Sequence, residues 1–156
     1  MKTDKIGING ILDIKIYNES NKLVHVIREK NKVVDNAFEI IYDLFNGDGT
    51  KGISKLAVGT GGILNSVVKT VDDNDHDLYT KVKETSEVAI VKNTLEKSIS
   101  YNSTIRFGTG ESYLLSEAGL FNNDDVMFSR KCFTEFVVDA NFSIVINWKI
   151  FFILNN

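Results

Sequence analysis

Every second residue from Phe142 to Leu154 is large and apolar: Phe142, Ile144, Ile146, Trp148, Ile150, Phe152 and Leu154. A helix cannot keep such a run on one side, because its residues return to the same face every three or four positions. Strand residues do so every second position. The segment is therefore read as an extended strand. At about 3.3 Å per residue it reaches roughly 40 Å, longer than most strands of globular proteins. Its second face is polar at Ser143, Asn147 and Lys149, then turns apolar at Phe151 and Ile153. A strand end apolar on both faces needs cover, either from its own domain or from a neighbouring subunit. The candidate interface is the strand face around Trp148, Phe151 and Ile153.

The same period recurs elsewhere. In residues 6–17, Ile8, Gly10, Leu12, Ile14 and Ile16 alternate with Asn9, Asp13, Lys15 and Tyr17. The polar turn Asn18-Glu19-Ser20-Asn21 then predicts a hairpin with a return strand over Lys22–Arg28. Further strands are expected at Ile53–Gly59, Glu87–Val91, Leu95–Phe107 and Tyr113–Leu115. Val126–Val138 and Phe142–Leu154 are expected to form a closing hairpin across Asp139-Ala140-Asn141. One segment changes period: Val34, Ala37, Phe38, Ile41, Leu44 and Phe45 make an apolar helical stripe. A helix over about 35–46 is predicted, with Asp35 or Asn36 able to cap it, Glu39 placed for a capping box, and Asn46-Gly47-Asp48-Gly49 ending it. The expected fold is mainly β, an antiparallel β-sandwich or jelly-roll-like domain with one packed amphipathic helix.

At 156 residues, with 43% apolar and 25% charged residues, the chain suits a single globular domain over 1–156. Its net charge of −3 argues against nucleic-acid binding by phosphate neutralisation. No apolar run approaches membrane-spanning length and no secretory signal is visible, so no membrane is expected as partner. The single cysteine, Cys132, is expected at a buried strand position.

Candidate chemical sites are few. Gly59-Thr60-Gly61-Gly62 lacks the Lys-Ser/Thr of a phosphate loop and reads as a glycine turn leaving a strand, where positive φ would favour glycine. The acidic run 72–77 is placed in an exposed excursion spanning about 65–84. Within it Asp73, Asp75, Asp77 and Glu84 follow calcium-loop spacing, but Leu78 stands where that loop needs glycine. A solvated acidic loop is preferred and no metal is assigned. Glu117, in an apolar stretch, would want Arg106, Lys131 or backbone amides as partners, in a structural role. His25 and His76 have no metal-ligand spacing. No nucleophile, base and orienting group occur together, so an enzyme is disfavoured and no cofactor is expected.

Two signatures remain, Ile53-Ser54-Lys55-Leu56-Ala57-Val58-Gly59-Thr60-Gly61-Gly62 and Ser116-Glu117-Ala118-Gly119-Leu120-Phe121-Asn122. With the helix entry Lys32-Val33-Val34-Asp35-Asn36-Ala37 and the segments Met127-Phe128-Ser129-Arg130 and Ile146-Asn147-Trp148-Lys149-Ile150-Phe151, they form an ordered set over about residues 31–152. This set resembles a family of small structural proteins of tailed bacteriophages. The resemblance implies a virion component of the tail, baseplate, collar or fibre-attachment region, made in the host cytoplasm and acting by homo-oligomerisation and assembly with other virion proteins. Two alternatives stay open: a carbohydrate-binding module recognising a host-surface glycan, and a capsid decoration or head-fibre protein.

Overall fold

The computed structural model describes residues 5–155. The order of elements is β1 (Lys5–Asn18), β2 (Leu23–Val33), α1 (Ala37–Phe45), a 3-10 turn (Gly49–Lys51), β3 (Ile53–Gly59), β4 (Ile63–Leu64), β5 (Val67–Val68), β6 (Lys81–Thr85), β7 (Ala89–Asn93), β8 (Ser98–Arg106), β9 (Ser112–Asn122), β10 (Met127–Asp139) and β11 (Phe142–Asn155). Nine strands hydrogen-bond in the order β6-β3-β9-β10-β2-β1-β11-β8-β7, all antiparallel. Long β2 belongs to two halves: it runs along β1 over most of its length but meets β10 only through Lys32 and Val33. The sheet doubles over at that strand, giving a β-sandwich-like fold with one helix.

The core lies between the halves. Leu12, Ile14, Ile16, Tyr101, Ile144, Ile146 and Trp148 from one half pack with Leu56, Val58, Ala118, Leu120, Phe128 and Phe133 from the other. Register explains this set. β1 and β11 pair without slip, and Leu12↔Trp148, Ile14↔Ile146 and Ile16↔Ile144 stand side by side on the inner face. A slip of one residue would turn both apolar rows outward.

The closing hairpin does not form. β10 hydrogen-bonds to β9 and β2, and β11 to β1 and β8. The short link Ala140-Asn141 is instead a corner where the chain crosses from one half to the other. Both strands have an apolar inward face, and two such faces are better satisfied by facing one another across the core than by lying edge to edge. The tight hairpin is β9–β10, where the Asn122 side-chain carbonyl accepts from the N–H groups of Asp124 (3.0 Å) and Val126 (2.9 Å).

Helix α1 is shorter than its sequence pattern, and Asn36 caps it without a side-chain hydrogen bond. Only Ala37 and Ile40 are buried, and most of the expected apolar stripe is not: Phe38, Leu44 and Phe45 are exposed. The helix touches the core through Ala37 and Ile40.

Candidate protein interface

The Ser116–Asn122 signature forms the C-terminal part of β9, which is buried from Leu115 to Asn122 on both faces. The inner face meets the core. The outer face is covered by the chain between β3 and β6, which turns back as the hairpin β4–β5 and then lays Val71 and Leu78 over Ala57, Phe121, Met127 and Cys132. Asn65 and Ser66, at φ of 50° and 63°, make the two-residue turn of that hairpin.

Glu117 pins this cover. Its Oε1 accepts from the N–H groups of Gly61 (3.0 Å) and Thr80 (2.8 Å), and its Oε2 from Tyr79 N–H (3.0 Å). Oε2 also accepts from the Arg130 guanidinium, and neither side chain of this pair reaches solvent. Arg130 faces Asp75 at 3.1 Å and stacks on the Tyr79 ring at 3.6 Å. Burial is the largest single influence and works against the charge on Arg130, but the hydrogen bond to Glu117 and the surrounding negative charges, Glu117 and Asp75 among them, together outweigh it and hold the guanidinium above its ordinary pKa. Backbone amides were expected partners for Glu117. The cation is Arg130 across the β9–β10 pair, not Arg106 or Lys131.

The glycines of the first signature serve the same contact. Gly59, Gly61 and Gly62 are not at positive φ. A Cβ at Gly59 would fall on the Thr80 carbonyl oxygen, and one at Gly62 on the Ser116 carbonyl oxygen. They are glycines because two backbones approach closely, which corrects the turn reading. Gly62 N–H donates to Ser116 Oγ (2.9 Å), locking the second contact.

The acidic run is part of this cover, with Asp72, Asp73, Asn74, His76 and Asp77 exposed, Val71 and Leu78 inward, and Asp75 turned in towards Arg130. Asp73 pairs with Lys32 (2.8 Å) and accepts Asp35 N–H on its carbonyl (2.8 Å). Asp75 pairs with Arg130, and both Asp77 (3.8 Å) and Glu84 (3.3 Å) lie against Lys81. The four calcium-spaced acids are thus each spent on a cation. Among the described residues no three His, Cys, Asp or Glu side chains are grouped to hold a metal ion. Cys132 is buried beneath this cover, and burial pushes its thiol up despite nearby Arg130.

A separate apolar surface is left uncovered along β1 and β11. Along the inner face of β11, Ile150 is 1% exposed, Phe152 38% and Leu154 54%. β1 follows the same course, from buried Leu12 to half-buried Ile8 and exposed Ile6. The two strands overshoot the sandwich while their apolar row continues. Between this overhang, edge strand β7 and helix α1 runs a groove of about 520 Å³. Ile6, Phe38, Leu44, Phe45, Ile90 and Phe152 form its exposed walls, and none of the residues lining it is charged. Tyr101 lies at its floor, where burial raises the phenol to about 12.

The candidate interface residues divide. Trp148 is fully buried, flanked by Leu12 and Tyr101 on the inner face, and offers nothing to a partner. Strand parity places Phe151 and Ile153 on the opposite face. There Phe151 is half-buried, with Lys149 above its ring, and Ile153 is exposed. Helix α1 and β7, which supply four of the six exposed walls of the groove, are not marked as an interface by the sequence. The signal is present in the Phe38–Phe45 stripe, whose period alone reads as a core-facing side. His25 lies against Phe136 and His76 beside the Asn74 carbonyl, far apart in sequence and on different strands and loops.

No family profile, no curated protein and no solved structure matches this chain.

Proposed function

We propose that this chain is a structural component of a tailed-bacteriophage particle, from the tail, baseplate, collar or fibre-attachment region, working by oligomerisation and burial of its apolar groove against neighbouring subunits. The supporting observation is the groove itself: an uncharged concavity of about 520 Å³ with six large apolar walls left open to water. Contiguous apolar surface of this kind marks interaction sites in folded proteins. The ordered signatures supply the phage context. Glu117 and the close-approach glycines account for the two strongest signatures as devices that fix the fold, which suits a protein whose work is done by shape and surface. The test is mass spectrometry of purified particles from the source organism with copy number by intensity. Several copies per particle are expected; presence only in the particle-free lysate would overturn the proposal.

A further inference from the structure

The groove has its own plug beside it. Phe45, at the last position of α1, is 86% exposed. It stands at the rim of a concavity whose other exposed walls are Ile6, Phe38, Leu44, Ile90 and Phe152. Knob and hole thus lie on one patch. A surface that carries both is self-complementary about a two-fold axis, since each copy can offer its knob to the other's hole. Size agrees. Phe38, Phe45 and Phe152 are 55, 86 and 38% exposed. At about 200 Å² for an open aromatic side chain they leave on the order of 350 Å² in water. Ile6, Leu44 and Ile90 are exposed as well. Together the patch comes to roughly 600 Å², at the top of what a monomer usually leaves open and about three-quarters of one side of a standard stable interface. Charge agrees too. A two-fold contact brings each group near its own copy, so like charges at its centre would repel, and this patch has none.

We infer that the groove is closed by a second copy of this chain, in a two-fold dimer in which Phe45 of each copy enters the groove of the other. The inference rests on the groove being an interface, and commits it to self-association. Neighbouring strand β7 is an open sheet edge, exposed along its whole length, and lies along the same flank. In the dimer that edge is shielded beside the contact, where it would otherwise template unwanted pairing.

The experiment is sedimentation equilibrium of the purified chain over a dilution series, with Phe45→Asp and Phe45→Leu measured alongside. Phe45 is almost wholly exposed, so neither change disturbs the packing of the single chain, and circular dichroism checks that the variants are folded. The expected result is a wild-type dimer, a Phe45→Asp chain whose association is weakened at least about a hundredfold, and a Phe45→Leu chain that keeps most of it. A wild-type chain that stays monomeric throughout overturns the inference, as does a dimer indifferent to Phe45→Asp. A monomeric chain nonetheless found at several copies per particle would overturn this inference and leave the particle role standing. A Phe45-dependent dimer absent from particles would do the reverse.

Discussion

Glu117→Gln removes one charge and no volume, so its effect isolates the electrostatics of the buried pin. Glutamine can still accept from Gly61 and Thr80 through one oxygen. Its amide nitrogen must then face Tyr79 N–H and the Arg130 guanidinium, two donors that now meet a donor. Arg130 is left fully buried, with only Asp75 as counter-charge. Breaking a buried pair from one side costs about 3–5 kcal/mol. That is a large share of the 5–15 kcal/mol typical of a whole domain. For a chain of this length it corresponds to a loss of about 10 °C in Tm. Calorimetry reads the total, and amide hydrogen exchange locates it: Gly61, Tyr79 and Thr80 should lose protection before the inner strands do. The double variant Glu117→Gln/Arg130→Met should be less damaged than the sum of the single ones, since the stranded charge is gone. A Glu117→Gln chain melting within about 2 °C of the parent, with those three amides unchanged, would refute the reasoning.

Other expectations follow from the same geometry. Gly62→Ala drives a Cβ into the Ser116 carbonyl and should cost about 1–3 kcal/mol in urea unfolding, although the backbone there is not at positive φ. Trp148→Ala should cost about 3–5 kcal/mol, as expected of a core residue, and in the parent chain Trp148 fluorescence should resist iodide quenching until unfolding. The Tyr101 phenol is raised from 10 to about 12 by burial. Its neutral form is favoured in the fold, so this contribution is whole below pH 10. It is lost as pH rises from 10 towards 12, by up to about 3 kcal/mol. Alkaline unfolding followed with Tyr101→Phe, which has no phenol to ionise, should show a shallower decline over that window.

Periodicity was a dependable guide where one face of a strand meets the core. The β1 and β11 alternations place Leu12, Ile14, Ile146 and Trp148 inside, as the structure does. Pairing was harder to read. β10 and β11 are joined by a link short enough for a hairpin, and only the presence of two other apolar rows, on β1 and β9, decides that they part. Parity also separates Trp148 from Phe151 and Ile153, so a single interface face containing all three was ruled out by the same alternation that identified the strand. Helix α1 shows the opposite limit. A stripe such as Phe38-Ile41-Leu44-Phe45 looks the same in sequence whether it faces a core or an unfilled groove, because periodicity reports which side is apolar and not what lies against it. Glu117 was legible as a carboxylate needing partners. Its guanidinium lay on an adjacent strand, whose register no local pattern could supply.

The pairing of β1 with β11, fourteen residue pairs from Lys5↔Asn155 to Asn18↔Phe142, also sets the order of events during synthesis. β1 leaves the ribosome well before β11, the strand that completes it. Until β11 emerges, β1 and β2 can form only a hairpin, with Leu12, Ile14 and Ile16 showing to solvent. The Gly61 and Thr80 amides likewise wait for a carboxylate 56 and 37 residues downstream. Closure therefore waits for β11 and is a step of high contact order, slow for a domain this small. The nascent chain spends that interval with its apolar row open, and the aspartates at 72, 73, 75 and 77 keep at least the waiting cover segment in solution until β9 and β10 arrive to receive it.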